Sequence, residues 1–375
     1  MIKERFQEIN LRNVMCVTHN DLDGHGSVEG LNSFLMDVNS KEDREYEIPT
    51  LSDYNPTSVR TLEMTKEILE GNEDKKFLFI MDRSLNNEDL KQILSLRDDL
   101  NVIYIDHHLN TVKAEFDNDE RFFNFLGAVN SSDAESKKSA AELVVDFCEL
   151  FLLDSKKISL SDWVDVKFLM SIIGDWDTFR WKTLEGGFRK KLVLVLSGAD
   201  KILGSKETFD LIKESNNGKL ILDSDKSMEA LNVHYTIYKE NLDKLYQEAY
   251  EDVKEKGLSF GKDGIKVAFL DNPDPKYFSI VSSKLFENKV ASIIIGVYDT
   301  GIVSARGDYF DNPINLQTLM SKLPGGGGGH YNAAGGLLLS KRLTDEEALK
   351  LKAKNPKILV SFKDTIINIL KENIK

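Results

Sequence analysis

Tyr104-Ile105-Asp106-His107-His108-Leu109-Asn110 closes the apolar run from Asn101 to Ile105 with one acid and two adjacent imidazoles. The run is short, β-branched and aromatic, which predicts a buried strand. In open α/β sheets, ligands gather just outside the carboxyl ends of the strands, so a carboxylate and two histidines at such an end point to metal or phosphate chemistry. An Asp capping a helix beside two surface histidines would look the same locally. The wider chain decides between the two, because three further apolar stretches also run into acids.

The first is Val14-Met15-Cys16-Val17-Thr18, followed at once by His19-Asn20-Asp21-Leu22-Asp23-Gly24-His25-Gly26. Extended backbone here would put His19, Asp21 and Asp23 on one side. So dense a set of oxygen and nitrogen donors suits one or two divalent ions. Ser27 to Met36 is predicted as a helix, the two glycines allowing a tight entry. Lys76-Phe77-Leu78-Phe79-Ile80-Met81 reads as a strand buried on both faces; it ends in Asp82, with Asn86 or Asn87 capping the next helix. That helix reaches Asp98-Asp99 and leads into the strand before Asp106. Ser139 to Leu152 has helical spacing, with Ala141, Leu143, Val144, Phe147 and Leu150 turned to the core. Phe168 to Gly174 is taken as the fourth acid-bearing strand end, running into Asp175-Trp176-Asp177-Thr178-Phe179, with Trp176, Phe179 and Trp181 read as packing groups. Strands alternating with helices imply a parallel, right-handed βαβ sheet.

Ser227 to Gly257 is charged, carries Leu231, Tyr235, Tyr238, Leu242, Leu245 and Tyr246 at helical spacing, and reads as a helix linking two domains. Beyond it, Ile265 to Leu270, Ala291 to Val297 and Ile302 to Arg306 read as strands. Helices are expected over Tyr277 to Phe286 and Ile314 to Met320, and an amphipathic one in the tail from Asn355 to Lys375. Pro324-Gly325-Gly326-Gly327-Gly328-Gly329-His330-Tyr331-Asn332-Ala333-Ala334-Gly335-Gly336 is expected to leave backbone N–H groups open to a phosphate or nucleotide before a strand at Leu337-Leu338-Leu339.

Composition narrows the class. At 375 residues the chain has room for two or three domains, and 41% hydrophobic with 30% charged residues is ordinary for a globular protein. Lys plus Arg total 49 against 62 Asp plus Glu, a net charge of −13, which suits a long duplex poorly. Local positive charge for an anionic substrate must then come from a metal and a few placed side chains. Cys16 and Cys148 lie far apart in apolar surroundings and read as buried free thiols in a reducing compartment. No run reaches transmembrane length and Met1-Ile2-Lys3-Glu4-Arg5 opens no signal peptide, so a cytoplasmic protein is expected.

Taken as a set, His19 to Gly24, Asp82, Asp106-His107-His108, Asp177-Thr178, Ser304-Ala305-Arg306 and Gly326 to Gly335 resemble, in order and over nearly the whole chain, the DHH phosphoesterases with a DHHA1 carboxyl-terminal domain. Within that family, the run from His19 to Gly24 and Asp177-Thr178-Phe179 are most similar to bacterial nanoRNases, also described as oligoribonucleases or cyclic-nucleotide phosphodiesterases. The resemblance implies an α/β protein: an N-terminal parallel-sheet DHH catalytic domain over 1–225, a linker helix over 226–257, and a smaller C-terminal mixed-sheet DHHA1 domain over 258–375. It further implies two Mn2+ ions per site, with Mg2+ or Co2+ as substitutes. His19 and Asp21 would hold one ion and Asp23, His107 and Asp177 the other, with Asp82 bridging. Either Asp175 or Asp177 could be the fourth-motif ligand; Asp177 is favoured because Thr follows it. His108 would face the phosphate and Asp106 would orient the imidazoles from behind. Arg306, Gly327, Gly328, Gly329 and His330 would bind the substrate's other end, although Asn332 stands where related sequences often carry Lys.

The implied reaction is hydrolysis of short single-stranded oligonucleotides or (cyclic) dinucleotides to mononucleotides by a water activated between two ions about 3.5–4 Å apart. Duplex nucleic acid and membrane are not expected as partners, and a homodimer is left open. A RecJ-like exonuclease on long single strands would want a basic channel or added domains. A pyrophosphatase of the same family would lack the glycine loop. A non-catalytic nucleotide-binding module would have shed metal ligands that are all present here.

Overall fold

Five parallel strands form the first sheet: β1 (Val14–His19), β2 (Thr50–Asp53), β3 (Phe77–Met81), β4 (Asn101–Asp106) and β5 (Phe122–Leu126), in the order β2-β1-β3-β4-β5. They belong to a computed structural model that describes residues 6, 8–36, 41–54, 57–107, 119–126, 138–152, 159–262, 264–308, 314–329 and 331–374. The chain divides into two compact units, Met1–Tyr238 and Lys239–Lys375.

The first sheet is buried on both faces, and its strands alternate between them as a period of two demands. Met15, Val17, Leu78, Ile80, Val102 and Tyr104 meet Leu62, Met64 and Ile68 of α2 (Ser58–Glu70) and Leu90 and Ile93 of α3 (Asn87–Leu96). Each such side chain removed from water contributes roughly 1.5–3 kcal/mol. On the other face Phe79 sets its ring edge-on to Phe147 of α4 (Ala140–Phe151), the centroids 5.6 Å apart. α1 (Leu22–Leu35) and α5 (Leu160–Asp177) pack beside α4, with Phe34 against Trp163 at 4.8 Å. Cys16 and Cys148 are both buried and free, and burial raises both thiols well above their ordinary pKa.

Phe168 to Gly174 departs from the strand expected there: it is the second half of α5. Trp163, Val166, Leu169, Met170, Ile172 and Ile173 are all buried, so this helix is covered on several sides and shows no polar stripe. A helix buried in that way reads as a continuous apolar run, as a buried strand does. β2 and β5 were not expected. The stretch from Gly186 to Leu222 contains α6 (Gly187–Leu203) and α7 (Ser205–Ser215).

α8 (Asp225–Lys256) covers the stretch expected as a helix from Ser227, and the division of the chain into two compact units falls inside it. In the first unit Tyr235 and Tyr238 lie so close to Gly198 of α6 that a Cβ there would sit 2.6 Å from the Tyr235 ring. In the second, Asn241 Nδ2 donates to the Tyr277 hydroxyl at 3.2 Å and Lys284 pairs with Asp243 at 2.7 Å.

The second unit holds a mixed six-stranded sheet: β6 (Leu258–Phe260), β7 (Ile265–Asp271), β8 (Ile293–Val297), β9 (Ile302–Gly307), β10 (Gly327–Gly329) and β11 (Ala333–Leu337), ordered β10-β11-β9-β8-β7-β6. Only β7 and β8 pair in parallel, joined through α9 (Pro275–Glu287); the other pairs are antiparallel. Val267, Ile293, Ile295, Val303 and Ala305 face Leu316, Leu319 and Met320 of α10 (Leu316–Met320) and Phe362, Ile366 and Leu370 of the tail helix α11 (Ile358–Asn373). The glycine run is therefore not an open loop but one arm of a hairpin. A Cβ at Gly325 would lie 1.9 Å from the Leu339 carbonyl oxygen and one at Gly327 2.5 Å from that of Met320, so glycine there answers close backbone packing. Gly328 faces open space.

Candidate metal centre

The strand order of the first sheet places β1 between β2 and β3, so the chain reverses its direction of growth between β1 and β3. That topological switch point opens a crevice beyond the carboxyl ends of the two strands. His19 ends β1, and Asp82 follows the last residue of β3. Both arrive there because their strands pair in register, Thr18 opposite Met81.

Asp21 stops β1 and starts α1. Its extended backbone (φ −145°, ψ −175°) makes it the N-cap, and its Oδ1 accepts the Gly24 N–H at 2.9 Å. A Cβ at Gly24 would stand 2.1 Å from the His19 carbonyl oxygen, so only glycine permits this turn. The helix thus begins at Leu22, five residues earlier than expected, and the first helical turn rather than extended backbone carries Asp23 inward. Asp21 Oδ2 lies 2.7 Å from His19 Nδ1, and His19 Nε2 is 3.2 Å from the Tyr54 carbonyl oxygen.

Asp23 is fully buried, and the amino-terminal amides of α4 hold it: Ala140 N–H donates to Oδ2 at 2.8 Å and Ala141 N–H to Oδ1 at 2.9 Å. Asp82 takes the left-handed region (φ 53°), where Asp and Asn are tolerated better than most residues. Its own N–H donates to the Ile105 carbonyl. The next residue, Arg83, is wholly buried and donates to the Thr18 and Asp53 carbonyls at 3.1 and 3.0 Å and to Thr61 Oγ1 at 3.0 Å, tying this corner to β1 and β2. Asp106 Oδ1 accepts the His107 backbone N–H at 2.9 Å, and the Tyr104 hydroxyl lies 2.9 Å from Asp106 Oδ2.

His107 stands among three carboxylates, its Nε2 3.3 Å from Asp82 Oδ1, 3.3 Å from Asp177 Oδ2 and 3.8 Å from Asp23 Oδ2. Two overlapping groups could each hold a cation: His19, Asp21 and Asp82, and Asp23, Asp82 and His107. Asp82 is common to both. Asp177 adds a third carboxylate on the His107 side, delivered by the last residue of α5. Asp175 does not stand free for an ion: Oδ1 accepts Arg180 Nε at 2.9 Å and Oδ2 accepts Arg189 Nε at 2.5 Å. His108 and His330 lie outside the described residues.

Electrostatics say what this cluster wants. Burial alone would depress the His19 imidazole, yet Asp21 and Asp82 hold it up at about 11. His107 is likewise raised, against its burial, by Asp177, Asp82 and Asp23. Burial, then Asp177 and Asp82, push the Asp23 carboxyl well above the usual carboxylate range. A pocket whose histidines cling to protons and whose buried acid resists ionising has an excess of negative charge for cations to neutralise. The donors are carboxylate oxygen and imidazole nitrogen without thiolate, a set that fits Mn2+ or Mg2+.

In the second unit Arg306 lies on β9, opposite Ala333 of β11, which pairs in turn with β10. Its Nε donates to Ser279 Oγ at 3.0 Å, Nη1 donates to the Ala305 carbonyl, and the guanidinium lies over the Phe278 ring. Arg306 and the glycine hairpin therefore occupy neighbouring strands. Trp176 stacks on Trp181 at 5.5 Å, as expected of packing groups, but Phe179 is 44% exposed with a left-handed backbone. Sequence reading missed Arg83, Arg180 and Glu142. Only the last left a local signal, Ser139 followed three residues later by Glu142, the pattern of a capping box.

Residues 13–169 match the model of the DHH family, N-terminal domain, and residues 262–352 match the DHHA1 domain. No curated protein matches the chain. Among solved structures it is similar to a DHH-domain protein described as belonging to a family of ribosomal proteins (18% identity over 95% of this chain and 88% of that one, TM-score 0.65). It is similar also to exonuclease RecJ bound to manganese (13% identity over 96% and 93%, TM-score 0.57). RecJ of Thermus thermophilus in complex with Mn2+ matches at 15% identity over 96% of this chain and 54% of that one, TM-score 0.55. At these identities the likeness is one of fold.

Proposed function

This chain belongs to the DHH family and carries a DHHA1 domain, and from that premise we propose that it is a metal-dependent phosphodiesterase that hydrolyses short single-stranded oligonucleotides or (cyclic) dinucleotides. The observation that carries the reading is Asp82, shared by two cation-competent groups at the sheet's switch point.

In this reading His19 and Asp21 would hold one ion, Asp23, His107 and Asp177 would hold the other, and Asp82 would serve both. A bound pair of divalent ions supplies a Lewis-acid centre that lowers the pKa of water and offsets phosphate charge. The chain's own residues supply the rest. Asp21 is fixed by the Gly24 amide, Asp23 by two helix amides, and Asp82 by a buried corner, so the ligands are preorganised before any substrate arrives. Arg306 offers a guanidinium already stacked and hydrogen-bonded, suited to a phosphate or a base. The manganese in the RecJ structure supports Mn2+ as the first ion to try.

A net charge of −13 supports a short substrate, since a long strand needs a basic track along its backbone. The likeness to RecJ keeps one alternative specific: exonuclease action on longer single strands. Purified protein with Mn2+, offered end-labelled RNA and DNA oligomers of graded length from two nucleotides upward, tests both. Rapid cleavage confined to the shortest oligomers is expected. Equal or faster cleavage of the longest strands would transfer the assignment to the RecJ-like activity.

A further inference from the structure

Asp175 is an acid without an evident task in the cluster, yet it is only 3% exposed and both its oxygens are engaged by arginines. One of those, Arg180, reaches on: its Nη2 donates to Glu142 Oε1 at 2.7 Å. Glu142 Oε2 accepts the Ser139 backbone N–H at 3.1 Å, and Ser139 Oγ accepts the Glu142 N–H in return. The next two amides of α4, those of Ala140 and Ala141, are the pair that holds Asp23. An unbroken line of contacts therefore joins Asp175 to a carboxylate that faces His107. Gly174 makes room for it, because a Cβ there would lie 2.1 Å from Glu142 Oε2.

We propose that Asp175 is a positioning residue of the metal centre, acting through Arg180 and Glu142 on the first turn of α4 and so on the orientation of Asp23. The inference rests on the reading of the cluster as a metal site. Charges alternate along the line, and each contact is a charge-assisted or capping hydrogen bond, so the geometry is stiff. Both Asp23 oxygens receive one amide each, which leaves their remaining lone pairs aimed in a fixed direction. With the charge on Asp175 removed, the pull on Arg180 from that side weakens and its pairing with Glu142 tightens. Glu142 is then drawn from its cap, and the α4 amides loosen their hold on Asp23. The ion beside His107 should feel this; the ion beside His19 and Asp21 should not.

Calorimetric titration of Mn2+ into the metal-stripped full chain tests it, with melting curves recorded on the same samples. For Asp175→Asn, one of two ions should bind roughly 10- to 100-fold more weakly, the range typical of losing a group behind a metal ligand, while the other binds as in the wild type. Glu142→Gln keeps an acceptor for the Ser139 N–H but loses the charge facing Arg180, and should weaken the same ion to a smaller degree. Unchanged affinities, or an equal loss at both ions, would overturn the positioning role. Should Asp175→Asn fail to fold, Glu142→Gln decides on the same criteria. A wild-type chain that takes up no Mn2+ would instead remove the metal reading itself, and this inference with it.

Discussion

Asp82→Ala is expected to cut turnover of a dinucleotide by more than about 10³-fold, beyond the 10²- to 10³-fold typical of losing one preorganised donor. Asp82 Oδ1 is 3.3 Å from His107 Nε2, and its Oδ2 is 3.6 Å from His19 Nδ1, so one side chain reaches both groups. No neighbour can replace it, because Asp21 and Asp23 are each pinned by backbone amides on their own side. Elemental analysis of the purified variant should show ion content falling along with kcat. An Asp82→Ala protein that retained two ions and wild-type turnover would refute the bridging assignment, and full activity after exhaustive chelation would refute the metal mechanism as a whole.

Arg306→Ala should separate the chemistry proposed for the first unit from the substrate recognition proposed for the second. A charged hydrogen bond to a phosphate contributes about 1.5–3 kcal/mol, so cleavage of dinucleotides and trinucleotides should fall roughly 10- to 150-fold in kcat/KM. A generic diester such as bis-p-nitrophenyl phosphate needs only the metal cluster and should be hydrolysed nearly as before. Arg306→Lys keeps the charge but loses the planar fork and the stacking on Phe278, and should recover only part of the loss. Equal losses on both substrates would mean that Arg306 supports the fold, and the recognition role would have to be abandoned.

The acids were legible because strand ends advertise them: an apolar run that stops at Asp82 or at Asp106 can be seen without coordinates. The switch point was not, since nothing local in Thr50 to Asp53 or Phe122 to Leu126 announces which strand lies at an edge. Phe168 to Gly174 misled for a physical reason. A helix packed on several sides loses the amphipathic stripe by which helices are recognised. The same buried context separates Asp175 from Asp177. Sequence offers two acids two residues apart; tertiary structure gives one to a pair of arginines and turns the other toward His107. Glycine at 325 and 327 was expected to free backbone for a ligand, whereas the hairpin needs it for close chain approach.

The crowding of carboxylates around buried Asp23 has a consequence for how this chain can evolve. Catalytic capacity and conformational stability pull against each other at this position. Asp23→Asn removes a buried acid that burial, Asp177 and Asp82 hold against ionising, so without divalent ions it should melt above the wild type, by about 2–4 °C for each kcal/mol gained in a domain of 150–250 residues. With saturating Mn2+ the order should reverse, because ligand binding stabilises only the chain that can bind. A population of variants screened for heat resistance in a chelating buffer would therefore drift toward a neutral residue at 23, discarding the site in order to gain a more stable fold. The same screen run in manganese would keep it.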